Sequence, residues 1–163
     1  MKPDRPLFIE NALDFADMPG YDSIRSENKE SIMALTERIK LAGRYLLALF
    51  YIAAGINHFI SPEFYIGLMP PYFPSPDILN ILAGIAEIAL GLLVIFDSTL
   101  RWACYTIIVM LIVFIPVHIY FIQVGSCIEG SLCTPQWLGW VRLVVIHPLL
   151  LLWAWAVSKT SPN

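Results

Sequence analysis

Charge is what this chain lacks most. Only 14% of its 163 residues are Asp, Glu, Lys or Arg, whereas 58% are hydrophobic, a balance that excludes an ordinary soluble domain. No P-loop and no glycine-rich dinucleotide fingerprint occurs, and no nucleic-acid partner is expected. With only three cysteines and three histidines, and no histidine beside the one close cysteine pair, no metal site is expected. The first 37 residues have no apolar run of the kind a signal peptide needs, and they hold eight of the thirteen acids. The first apolar segment is therefore expected to act as its own insertion signal.

What the chain does have is apolar length. A bilayer is crossed by about 20 residues of helix, and four such stretches can be drawn, at about 41–59, 78–96, 102–124 and 137–157. The expected fold is all-α, an integral membrane four-helix bundle over residues 38–158, preceded by an acidic tail over 1–37. Lys and Arg in short connections favour the cytoplasmic side. Arg38, Lys40 and Arg44 precede the first span, Arg101 lies between the second and third, and Lys159 follows the fourth. The other two connections carry only Glu63, Asp77 and Glu129. Both termini are therefore expected in the cytoplasm, and the chain in the cell (inner, cytoplasmic) membrane as a multi-pass protein. The aromatic belts agree, with Trp137 and Trp140 at the outer side and Trp102, Trp153 and Trp155 at the inner one. The tail reads as a flexible arm leading into a short interfacial or soluble helix, either a solvated lead-in or a docking arm.

Ionisable groups at membrane depth cost roughly 2.5 to 3.5 kcal/mol each on insertion scales, so each is a functional candidate. Glu87 in the second span and His147 in the fourth both fall roughly 13 to 15 Å deep at about 1.5 Å per residue, and a contact between them is expected. Asn57, His58, His118 and Arg142 fall in the outer half. Helical spacing puts Arg44, Ala48, Tyr51, Gly55 and His58 on one face of the first span, and Asn80, Gly84, Glu87 and Gly91 on one face of the second. Small residues beside polar ones mark close-packed faces, which are expected to meet. Pro116 and Pro148 each lack a backbone donor, so the carbonyls of Ile112 and Val144 need other partners. A structural polar network and a ligand site are both open readings of this set.

The first outer connection, "SPEFYIGLMPPYFPSP", is apolar and stiff where loops are usually polar. Pro62, Pro70, Pro71, Pro74 and Pro76 fix its course, and Phe64, Tyr65, Met69, Tyr72 and Phe73 suit it to lie at the interface. It is a candidate lid over the polar cluster, or a cap that closes the bundle. In the last outer loop, Cys127 and Cys133 are expected to form a structural disulfide if the exterior is oxidising. A redox-active pair is the alternative.

The segments "AGINHFISPEFYIGLMPPYFP", "GIAEIALGLLVIF", "FIPVHIYF" and "RLVVIHPLLLLWAW", spread from about Leu41 to Val157, resemble the DoxX-like family of small four-helix membrane proteins. That resemblance implies an oxidoreductase subunit linked to quinone or sulfur redox chemistry, acting as the membrane partner of soluble redox enzymes. It supplies no catalytic residue. The expected function is thus a subunit in quinone-linked redox chemistry, with Asn57, His58, Glu87, His118, Arg142 and His147 as candidate ligand-binding residues. A non-enzymatic assembly or stabilising subunit of a larger membrane complex is the rival. Membrane lipids and either redox-complex subunits or further copies of the chain are the expected partners. Haem b clamped by His58 and His118 is a third reading.

Overall fold

The computed structural model describes residues 20–128 and 133–161. Glu129 and the acids before Gly20 lie outside them. The helices are α1 (Tyr21–Ile60), a short α2 (Pro62–Ile66), α3 (Pro76–Val94), α4 (Leu100–Gln123), α5 (Gln136–Val141) and α6 (His147–Ser158). A π-helical turn, Arg142–Ile146, joins α5 and α6 into one span. Four helices are long and apolar enough to cross a membrane: α1, α3, α4 and the composite Gln136–Ser158. No strand occurs among the described residues, where a lone antiparallel bridge joins Cys127 to Cys133.

The short helix expected in the tail and the first span are one uninterrupted helix. From Tyr21 to Ala42 the sequence contains neither Gly nor Pro, so nothing local stops it. The hydroxyls of Ser23, Ser26 and Ser31 donate to carbonyls three residues back, and that of Thr36 to the carbonyl four back, so these polar side chains do not compete with the helix for partners. By internal contacts the chain divides into a unit up to Ile39 and a second from Lys40 onward. The second unit holds the bundle.

Within it, α1 and α3 meet backbone to backbone, and their small-residue stripes face each other. A Cβ at Gly55 would stand 2.6 Å from the Gly84 carbonyl oxygen, and one at Gly91 2.8 Å from that of Ala48. Only glycine allows such an approach. The buried face of α1 is Arg44, Leu47, Ala48, Tyr51, Gly55 and His58; that of α3 includes Asn80, Gly84, Glu87 and Gly91. Behind this seam α4 packs on both α3 and α6, and Leu47, Tyr51, Val94, Leu100, Cys104 and Ile107 form the core. The Trp153 indole N–H donates to the Gly43 carbonyl at 3.1 Å, tying α6 to α1.

The C-terminal end of α3 is sealed by a residue that the sequence offers only as a topology signal. Arg44 is buried; its Nε–H donates to the Val94 carbonyl at 2.8 Å and a guanidinium N–H to that of Ile95 at 2.6 Å, while the other terminal nitrogen pairs with Asp97. Thr99 adds a hydroxyl to the Leu93 carbonyl at 2.6 Å. The last carbonyls of a helix have no partners within it, and here a planar fork supplies them. Hydrogen bonds to a charged group contribute roughly 1.5 to 3 kcal/mol. Because the Asp97 side chain is 66% exposed, its ion pair contributes less than about 1 kcal/mol. Thermal unfolding in detergent should therefore show a loss of about 2 to 3 kcal/mol for Arg44→Ala, only partial recovery in Arg44→Lys, and little change in Asp97→Ala. Equal losses for Arg44→Ala and Asp97→Ala would reverse the assignment of cap over ion pair.

Candidate functional site

At the opposite end of the bundle from Arg44, all four spans surround a cavity of about 220 Å³. His58, Tyr65, Glu87, His118, Arg142 and His147 form its polar wall. Five of the six predicted ligand-binding residues are thus brought together. Asn57 is exposed beside the cavity, and its amide N–H donates to the Tyr65 hydroxyl at 2.8 Å. The rest of the lining is apolar, including Phe50, Leu68, Met69, Phe114 and Ile146. Phe50 is 42% exposed and Ile146 47%, so between α1 and the fourth span the lining reaches the surface that lipid would cover.

The buried heart of the site is a triad on the glycine seam. The Asn80 amide N–H donates to the His58 carbonyl at 3.0 Å, which turns the amide oxygen toward His58 Nδ1 at 2.7 Å. An amide oxygen only accepts, so Nδ1 carries a proton and donates. His58 Nε2 then faces Glu87 Oε2 at 3.7 Å. Both groups are buried, and Oε2 has no hydrogen-bond partner. The imidazole and the carboxyl thus face each other in a low dielectric without a direct hydrogen bond between them.

This corrects the expected Glu87 to His147 contact. Depth along a span allows both pairings, but the glycine seam brings α1 against α3 and gives Glu87 to His58. His147 instead points its Nε2–H at the Leu111 carbonyl, 2.8 Å away, with its ring edge-on to His118 at 5.0 Å between centroids. The recipient lies one residue before Ile112, whose amide partner Pro116 removes; the bend at Pro116 opens the helix ladder next to the missing donor. Around Val144, whose carbonyl is left without a donor by Pro148, the backbone itself changes. There the helix widens, and the His147 backbone N–H bonds to the Arg142 carbonyl five residues back. In an α-helix residues five apart point about 140° from each other at 3.6 residues per turn. The wide turn brings Arg142 and His147 to the same cavity, a placement typical of π-turns at functional sites.

The Pro-rich loop contributes selectively. Tyr65 stacks on His58, centroids 3.6 Å apart and planes at 20°, and Met69 joins the lining together with the buried Leu68, which the sequence did not single out. Phe64 packs edge-on against Tyr65 at 4.9 Å, and Pro70 is buried. Pro71 is exposed, and Tyr72 is 71% exposed and packs edge-on against Phe73. The loop is therefore a wall as far as Pro70 and an outer surface beyond it. Burial pushes the Tyr65 phenol above its ordinary range, the hydrogen bond from Asn57 pulling the other way. It stays neutral with its own O–H free to donate.

Arg142 makes no hydrogen bond or ion pair with any described residue. Of the two histidines considered for a haem, His58 has Nδ1 bonded to Asn80 and Nε2 facing Glu87 at 3.7 Å, and His118 lies edge-on to His147. No group of three or more metal-ligating side chains occurs among the described residues. Cys127 and Cys133 are joined as a disulfide, with residues 129–132 between them outside the described part; Cys104 is buried in the core, away from them. Asn80 is the functional residue that the polar inventory missed. Its place on the Gly84 and Gly91 stripe was the available signal.

Two measurements check this geometry. In a double-mutant cycle of His58→Ala and Glu87→Ala, each single change leaves an unpaired buried group and should cost about 3 to 5 kcal/mol, with the double variant well short of the sum; additive losses would mean no contact. Deleting Val144 should return the fourth span to a regular α-helix and leave a folded bundle in which Arg142 is turned out of the cavity. A cysteine placed at position 142 would then change its labelling by a polar thiol reagent between the full-length and deleted chains, and unchanged labelling would show that the wide turn is not what orients this residue.

No curated protein and no solved structure matches the chain. Every residue that lines the cavity, from Phe50 to Leu150, lies inside residues 47–158, the stretch matched by the model of the family described as "Domain of unknown function (DUF8561)", and the chain belongs to that family.

Proposed function

We propose that the chain is an integral membrane subunit that binds a quinone in this cavity and serves quinone-linked redox chemistry. The observation that carries the reading is the combination of an unpaired Arg142 with His118, Tyr65 and the His58 and Glu87 pair around an otherwise apolar space that opens between α1 and the fourth span. Its volume of about 220 Å³ is below the roughly 300 to 1,000 Å³ of pockets that enclose a whole drug-sized molecule. That suits a single head group whose apolar tail leaves between α1 and the fourth span. A quinone offers two carbonyl oxygens to donors such as Arg142 and the Tyr65 hydroxyl, and when bound it supplies two-electron, two-proton chemistry. The His58 and Glu87 pair lies at the same wall, positioned for acid–base exchange. The resemblance to DoxX-like proteins points the same way.

In this reading both termini face the cytoplasm, the cavity lies in the outer half of the cell membrane, and the subunit works with other redox-complex subunits or as a homo-oligomer. Native mass spectrometry of the protein extracted gently from its source membrane should show a retained quinone mass, and Arg142→Gln or Tyr65→Phe should lower its occupancy severalfold without dispersing the bundle. An empty chain travelling with a larger complex would instead support an assembly subunit.

A further inference from the structure

The wall of the cavity holds a cation that no described residue pairs. A guanidinium is charged at any accessible pH, and Arg142 has no carboxylate or carbonyl partner among the described residues. The one carboxyl lining the cavity, Glu87, faces His58 rather than Arg142: His58, locked by Asn80 with its proton on Nδ1, turns Nε2 to it at 3.7 Å. His147 gives its Nε2–H to a backbone carbonyl and meets His118 edge-on. Tyr65 is a neutral phenol. The polar wall therefore holds a guanidinium with no carboxylate paired to it among the described residues, inside a span where charge is costly.

We infer that the cavity takes its ligand as an anion: an amphiphile whose ring carries an acidic oxygen, ionised when bound, of the hydroxyquinone class. The anionic oxygen sits at Arg142, where a planar fork of donors suits it. The opposite oxygen of the same ring faces the His58 and Glu87 pair. This rests on the reading of the cavity as a quinone site and narrows it from quinones in general to acidic ones. It also accounts for the wide turn at Arg142–Ile146: a regular helix would send the cation away from the cavity.

The test compares two probes on the full chain in lipid nanodiscs, a 2-hydroxy-3-alkyl-1,4-naphthoquinone and its 2-methoxy counterpart with the same alkyl chain, by calorimetric titration at a pH where the hydroxy group is ionised. The hydroxy compound should bind about tenfold more tightly or better, as expected when a charge-assisted hydrogen bond replaces a neutral one. Arg142→Gln should remove that preference, while Arg101→Gln, a cation lost from the start of α4 at the other end of the bundle, should leave it intact. Equal binding of both probes overturns the inference and leaves the quinone reading standing; binding of neither overturns both. A preference that survives Arg142→Gln, or disappears in Arg101→Gln, overturns the assignment of the anion to Arg142. If Arg142→Gln does not fold, the two probes on the unaltered chain decide whether the ligand is an anion.

Discussion

Where Gly55 meets Gly84 there is no room for a single methyl group, and the rest of the bundle is arranged around that contact. It brings α1 and α3 close enough for His58 to exchange hydrogen bonds with Asn80 and to face Glu87. A larger residue at either glycine would push the helices apart, and the triad would open before the apolar core below it was disturbed. Without a hydrophobic driving force between spans in lipid, close packing and interhelical hydrogen bonds are what hold such helices together. Here both come from one seam.

The two ends of the bundle solve the same problem in opposite ways. Around Arg44 the helix-terminal carbonyls find donors, and the charge finds both Asp97 and the backbone. Around Arg142 satisfaction is incomplete: the guanidinium has no hydrogen bond or ion pair with any described residue, and Glu87 Oε2 and the buried hydroxyl of Tyr51 in the core beneath lack hydrogen bonds. Buried polar groups are normally partnered, so a cluster of unpartnered ones beside an apolar cavity is where a ligand would complete the structure. The satisfied end is the frame, and the unsatisfied end is the candidate site.

Proline shapes that site by subtraction. Pro116 and Pro148 each remove one backbone donor, and the chain responds once with a side chain, His147 on the Leu111 carbonyl, and once with a change of helix type over Arg142–Ile146. Both responses turn polar groups inward on helices that are otherwise apolar. That carbonyls near these prolines would need partners was legible in the sequence, because it follows from covalent chemistry alone. Which partner would come, and that a helix would widen instead, was not.

Four spans, their approximate limits, the faces of α1 and α3 that meet, and the gathering of ionisable groups toward one end all follow from apolar length and from period-3.6 spacing, both of which are properties of a single chain segment read in isolation. Partner choice is not of that kind. Residue spacing measures depth along a helix and angle around it, but not which neighbour stands opposite or how near it comes. So Glu87 and His147 share a depth, yet the glycine seam gives Glu87 to His58. Arg142 reads from its charge as a candidate ligand residue, yet it reaches the cavity with His147 because a missing proline N–H widens one turn. Arg44 reads as a cytoplasmic signal, and only the packed structure makes it the cap of α3. Local pattern determined the elements and their buried faces; the distances between backbones decided the chemistry.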